Sequence, residues 1–252
     1  MGIDQTRVAV IADIHGNRWA LEAVLEDLER MAVKHVVNLG DSLYGPLDPA
    51  GTGDVLLELS IPTVRGNQDR VILDPAPATA GGTLEYVRES LREEHLAWLA
   101  KLEPTAVAFD DFFLCHGTPS SDAAYLLYEV QQGGVRLRSA ADLEASTREV
   151  RHSIVLCGHD HVPRTVRLPD GKLIIDPGSV GLPAFTDDTP YPHAMETGTP
   201  HARYSIVTHS DSGWTVEDRA ITYDWGTASR TAEEHGRADW AGWLASGRAC
   251  AG

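Results

Sequence analysis

Five apolar runs in this chain each stop at a polar residue able to hold a metal ion. "VAVIA" runs into Asp13-Ile14-His15, "HVVNL" into Gly40-Asp41, and "IPTVR" into Gly66-Asn67. "FFLC" runs into His116-Gly117, and "SIVLC" into Gly158-His159-Asp160-His161. Short runs rich in Val and Ile, bounded by turn residues, read as buried strands. In open α/β sheets, ligands gather at the carboxyl ends of such strands. Glycine beside those ends lets the backbone turn sharply and approach a ligand. The pattern constrains the chain to gather several strand ends at one place.

The segments between the runs support an α/β fold. "NRWALEAVLEDLERM" (17–31) spaces Leu21, Val24, Leu25, Leu28 and Met31 as a helix, with Asn17 as its cap. Strands are expected at 7–13, 35–41 and 61–67, with a helical segment at about 50–60 and another over 83–101. Alternating strands and helices argue for a parallel sheet. The second half changes texture. "TAVAF-DDFFLCHG" reads as two strands around an acidic turn, and 165–176 and 203–221 as hairpins. Both halves fit one core of two packed sheets with helices outside. One domain over 1–252 is expected, with a proline-rich loop at 181–202 and a terminal helix from about 229.

Charge narrows the partners. The 252 residues carry a net charge of −16, which disfavours duplex nucleic acid and anionic membranes. A phosphate-bearing substrate then needs a local source of positive charge, and bound metal is one. No apolar stretch is long enough to span a membrane. The opening "MGIDQTRVAVIAD" lacks the features of a secretory signal, and "MGIDQT" matches a myristoylation signal only weakly. Cys115, Cys157 and Cys250 are an odd set without short repeated spacing, as expected of reduced thiols in a cytoplasmic protein. Homo-oligomerisation stays open.

The residue types at the strand ends suit one task. Two aspartates, one asparagine and four histidines favour Mn, Fe, Zn or Ni over Ca or Mg. Seven ligands exceed one tetrahedral ion and suit two ions sharing a carboxylate.

The ordered set Asp13-x-His15, Gly40-Asp41, Gly66-Asn67, His116 and Gly158-His159-x-His161 resembles the calcineurin-like metallophosphoesterase superfamily. "ADIHGNRWALEAVLEDL", "GDSLYGPLDP" and "DPGSVGLP" look most like its small bacterial and archaeal phosphoesterases. The resemblance implies a four-layer α/β/β/α sandwich of two mixed sheets flanked by helices. It implies that Asp13, His15 and His161 hold one metal, Asn67, His116 and His159 the other, and Asp41 bridges. Manganese is the favoured ion. The implied reaction is hydrolysis of a small phosphomonoester or phosphodiester by a hydroxide between the metals. Asp41, Asn67, His116 and Gln68 are the implied catalytic set. The alternative is a metal-binding regulatory protein that keeps the site with little turnover.

One position departs from the family. Many members carry histidine after Gly-Asn, thought to protonate the leaving group, and here Gln68 stands there. Glutamine can donate a hydrogen bond but is no acid at neutral pH. His193 and His201, on the proline-rich loop, are the candidates to replace it. Arg65 is a candidate phosphate contact. Asp69 is expected to bond into its own turn. Asp160 is expected to face away from its flanking histidines if 159–161 is extended.

Overall fold

The computed structural model describes residues 7–75, 81–211 and 213–249. "MGIDQT", Ser212 and Cys250 lie outside the described residues. The chain begins β1 (Arg7–Ile11), α1 (Arg18–Arg30), β2 (His35–Asn38), α2 (Pro49–Leu59) and α3 (Asn67–Leu73). It continues through α4 (Thr83–Ser90), α5 (Glu93–Leu99), β3 (Thr105–Ala108), β4 (Phe112–Cys115), β5 (Tyr128–Gln131) and β6 (Gly134–Leu137). Next come α6 (Ala140–Ser146), β7 (Ile154–Leu156), β8 (Arg164–Arg167), β9 (Leu173–Asp176), β10 (Ala184–Asp187) and β11 (His193–Glu196). The long hairpin β12 (Ala202–Ser210) and β13 (Gly213–Ile221) leads to α7 (Trp225–Glu234) and α8 (Ala238–Ser246).

Two mixed sheets form the centre. One has the order β13-β12-β1-β2 and the other β3-β4-β7-β9-β8. β1 and β2 are parallel in the first, and β4, β7 and β9 in the second. Strand alternation decides which side chains fill which layer. Val8, Val10 and Ala12 point between the sheets, against Phe112, Leu114, Ile154, Leu156 and Ile175. Ala9 and Ile11 point the other way, onto Leu21, Val24 and Leu28 of α1. Each fully buried aliphatic side chain here contributes about 1.5–3 kcal/mol. On the outer face of the second sheet, Leu143 of α6 packs with Val155 and Ile174. These layers are the α/β/β/α sandwich expected from the family resemblance, with a thin second helical layer.

Asn17 caps α1, accepting from Ala20 N at 3.2 Å. α1 is also pinned from below. Asp27 accepts from Tyr204 Oη at 2.7 Å and from Arg219 at 2.8 and 3.2 Å, tying the helix to β12 and β13.

Several boundaries differ from expectation. Segment 61–67 is not a strand: a single bridge joins Thr63 to Asn38, and the chain enters α3 at Asn67. Pro62 lacks the N–H that a ladder needs. The helical region at 83–101 is two helices, α4 and α5, because Leu91 and Arg92 are extended. The proline-rich loop holds the β10–β11 pair, in register from Ala184↔Glu196 to Asp187↔His193. The terminal helix is the pair α7–α8, starting at Trp225 and broken at Gly236, whose φ is +74°. The β5–β6 hairpin and α6 carry no strong periodic signal and were not expected. Cys115 and Cys157 are free and buried, as expected.

Candidate metal centre

The parallel strands β1, β2, β4 and β7 end at one edge of the sandwich. Their following loops deliver Asp13 and His15, Asp41, His116, and His159 and His161, while Asn67 arrives at the first turn of α3. The loops are tight. Asp13, His15, Asp41, His159 and His161 all have positive φ, between 52° and 74°. Left-handed backbone at non-glycine residues costs about 1–3 kcal/mol each and clusters at functional sites. Segment 159–161 is therefore not extended, contrary to the premise used for Asp160. Gly66 is required by close approach: a Cβ there would lie 2.1 Å from Asp41 Oδ1.

All seven expected ligand residues converge. His161 Nε2 lies 3.3 Å from Asp13 Oδ1 and 3.1 Å from His15 Nε2. His116 Nε2 lies 3.4 Å from Asp41 Oδ2 and 3.0 Å from Asn67 Oδ1. Asp13, His15 and His161 form one compact group of potential ligand atoms, and Asp41, His116 and His159 another. His15 Nε2 reaches Asp13 Oδ1 at 3.9 Å and Asp41 Oδ2 at 4.0 Å, which links the groups.

The hydrogen bonds behind the rings decide what faces inward. His15 Nδ1 donates to Tyr44 O at 3.0 Å, His116 Nδ1 to Leu39 O at 2.8 Å and His161 Nδ1 to Leu182 O at 2.7 Å. A carbonyl only accepts, so each Nδ1 carries the proton, and in the neutral ring Nε2 presents a lone pair. Metal-binding histidines are held in this way. Asp13 Oδ1 is buried without a hydrogen-bond partner. His15 Nε2, His161 Nε2 and Asp13 Oδ1 thus converge as acceptors, and such an arrangement suits cations. Without metal, burial and the neighbouring His161 push His15 down to about 4. Burial and His116 likewise push His159 down to about 4. Burial also pulls His116 down, but Asp41 and Asp13 outweigh it and carry that ring up to about 10. Burial opposes ionisation of Asp41, but the surrounding imidazoles, His116 first, hold its carboxyl below the usual range.

A supporting shell braces the loops. Asp69 accepts from Gly66 N at 3.0 Å, as expected of a turn residue. It also accepts from Asp41 N and Ser42 N at 2.9 Å, so it clamps two loops rather than one. Ser179 Oγ donates to Asp13 O at 2.7 Å. Asp160 bonds Val162 N, and Asp176 bonds Gly178 N. Burial raises both carboxyls, Asp160 to about 7 and Asp176 well above the usual carboxylate range.

A cavity of about 220 Å³ opens over the cluster and is lined by Gln68, Tyr44, Phe185, Arg237, Trp240 and Trp243, among others. Gln68 N donates to Asp41 Oδ1 at 2.8 Å. Neither His193 nor His201 lines this cavity. His193 is held between Tyr125 Oη and Tyr191 O, and His201 packs on Trp225. Arg65 does not line it either, and its Nε is buried without a partner. Asn17 spends both amide hydrogens on Gly181 O and Tyr223 Oη. Arg237, Trp240 and Trp243 were not expected from the sequence. Arg237 lies 5.3 Å above the Trp240 ring, and Trp240 meets the His15 ring edge-on at 5.6 Å. The spacing of these residues reads simply as a helix face, so no local signal marks them.

The calcineurin-like phosphoesterase superfamily domain matches residues 6–197. A crystal structure of a metallophosphoesterase from Sphaerobacter thermophilus aligns over 97% of this chain and 100% of that one, with a TM-score of 0.77 and 24% identity. That of the hypothetical protein PH1004 from Pyrococcus horikoshii covers 97% and 99%, with a TM-score of 0.73 and 20% identity. An uncharacterized protein of Methanocaldococcus jannaschii, MJ0912, is 24% identical over 71% of this chain and 78% of its own length. At these identities the structural likeness bears on the fold.

Proposed function

Because the chain belongs to the calcineurin-like phosphoesterase superfamily, we propose that it hydrolyses small phosphate esters with two divalent cations. Asp13, His15 and His161 would hold one ion and Asn67, His116 and His159 the other, with Asp41 between them. The observation that carries this reading is the inward-facing acceptor set: His15 and His161, fixed from behind by carbonyls, beside a buried, unpartnered Asp13 oxygen. The donor set of imidazoles, carboxylates and one amide suits Mn, Fe, Zn or Ni, and manganese is favoured.

When bound, two such ions supply an acidified water and neutralise the phosphoryl oxygens. The chain's own residues do the rest. Asp41 is held by Gln68 N and by the bracing of Asp69, so its second oxygen stays aimed at His116. The Gln68 amide is placed to donate to a phosphate oxygen, and it has no proton to give the leaving group. Activated aryl esters should therefore turn over better than alkyl esters. Among the described residues Arg237 is the one lysine or arginine lining the cavity, and Asp239 already holds its guanidinium at 2.7 Å. Trp240 and Trp243 restrict water. The net charge of −16 favours a small ester over a polyanion.

The test is hydrolysis of bis-p-nitrophenyl phosphate and p-nitrophenyl phosphate with manganese, before and after chelation. Hydrolysis of either that disappears with the metal supports the proposal. Two bound ions with no hydrolysis would favour a metal-binding regulatory protein, a reading that Gln68 at the cavity keeps alive.

A further inference from the structure

A second, larger cavity shares a wall with the one over the metal centre. Its volume is about 800 Å³, and it lies between α8 and the β10–β11 hairpin. Thr186 and Trp243 line both cavities. The second volume falls within the range of small-molecule sites. A metal centre that grips phosphate needs no such space for the phosphate itself.

The walls of this groove show what would fill it. Trp243 offers an indole, half-buried and packed 6.4 Å from Trp240. Pro192, Ala194, Ala238, Gly242 and Ala249 supply the rest of the apolar wall, and His193 lines it too. Gly242 lies in the middle of α8, where glycine weakens a helix relative to alanine. Its φ is not positive, and a Cβ built there meets nothing within 4 Å. Neither backbone conformation nor packing calls for glycine at this point, and its missing side chain leaves the groove open. Two of the charges are already paired: Asp239 with Arg237 at 2.7 Å, and Arg248 with Glu196 at 4.0 Å. Asp188 adds a further negative charge. An uncharged group suits these walls better than a second phosphate.

Resting on the phosphoesterase reading above, we propose that the natural substrate is a phosphodiester with a planar aromatic group on one arm, seated in this groove against Trp243. An acid-rimmed groove accepts a diester monoanion more readily than a monoester dianion, and a flat ring gains contact with the indole face.

Binding of two monoanions with a poor leaving group to the manganese-loaded protein, read before turnover, tests this by calorimetry. Methyl phenylphosphonate and methyl methylphosphonate differ only in the ring. The ring compound should bind roughly tenfold tighter. Gly242→Leu, which fills the groove, should bring the two within about twofold while leaving the methyl compound unaffected. Trp243→Leu keeps apolar bulk without the flat face and should also shrink the preference, so the test stands even if one variant fails to fold. Equal affinities in the unaltered protein, or an undiminished preference in folded Gly242→Leu, would overturn the proposal. The assay needs no turnover. A protein that prefers the ring but hydrolyses nothing keeps the groove's preference and contradicts the phosphoesterase reading; an active protein without the preference contradicts only the groove.

Discussion

The Nε2 atoms of His15 and His161 lie 3.1 Å apart, and each ring donates its Nδ1 proton to a backbone carbonyl on the far side. Two imidazole lone pairs so placed repel each other unless a cation sits between them. Metal should therefore stabilise the fold as well as serve chemistry. A site filled at about 1,000 times Kd adds about 4 kcal/mol. Thermal unfolding with and without manganese should show a clear rise in Tm. His161→Ala should diminish that rise, and an equal rise in the variant would count against the assignment.

Asp69 accepts three backbone N–H groups from two loops that carry Asp41 and Asn67. Asp69→Ala would leave those buried donors without partners, at about 1–3 kcal/mol each. Denaturant unfolding should show a loss of about 3 kcal/mol or more, with metal affinity falling too. A variant as stable as the parent would show that the clamp is dispensable.

Most of the candidate ligands were legible because they sit directly after an apolar run, so a local pattern carried them. Asp69 was only half legible. Its bond to Gly66 is local, but its bonds to Asp41 and Ser42 cross 28 and 27 residues. Arg237, Trp240 and Trp243 reach the site only because α8 folds back over it. Segment 61–67 misled for the opposite reason: its apolar residues look like a strand, but Pro62 and the turn into α3 leave one bridge to β2.

Gln68 lines the cavity at the position where the family resemblance leads one to expect a histidine. Gln68→His should raise turnover of alkyl esters by about 10²-fold or more, and that of p-nitrophenyl esters much less. Steady-state rates on one substrate of each kind check this. An unchanged ratio between them would show that leaving-group protonation does not limit the enzyme.

Asp27 carries the acid sensitivity of α1 packing. Burial opposes its ionisation, but hydrogen bonds from Tyr204, Arg30 and Arg219 outweigh this and hold its carboxyl below the ordinary range. A group with a depressed folded pKa stabilises fully above its unfolded value of about 3.9, and that contribution fades as pH falls through the lower folded value. Asp27→Asn should thus be less stable than the parent near neutrality, and the gap should narrow below about pH 4. Urea unfolding across that range checks it. A gap independent of pH would remove Asp27 ionisation from the account.

The most direct test of a two-cation phosphoesterase is a manganese titration of activity. Chelator-stripped protein should leave bis-p-nitrophenyl phosphate intact, and hydrolysis should rise until two ions are bound per chain. Hydrolysis without metal, saturation at one ion, or none with two ions bound would contradict it.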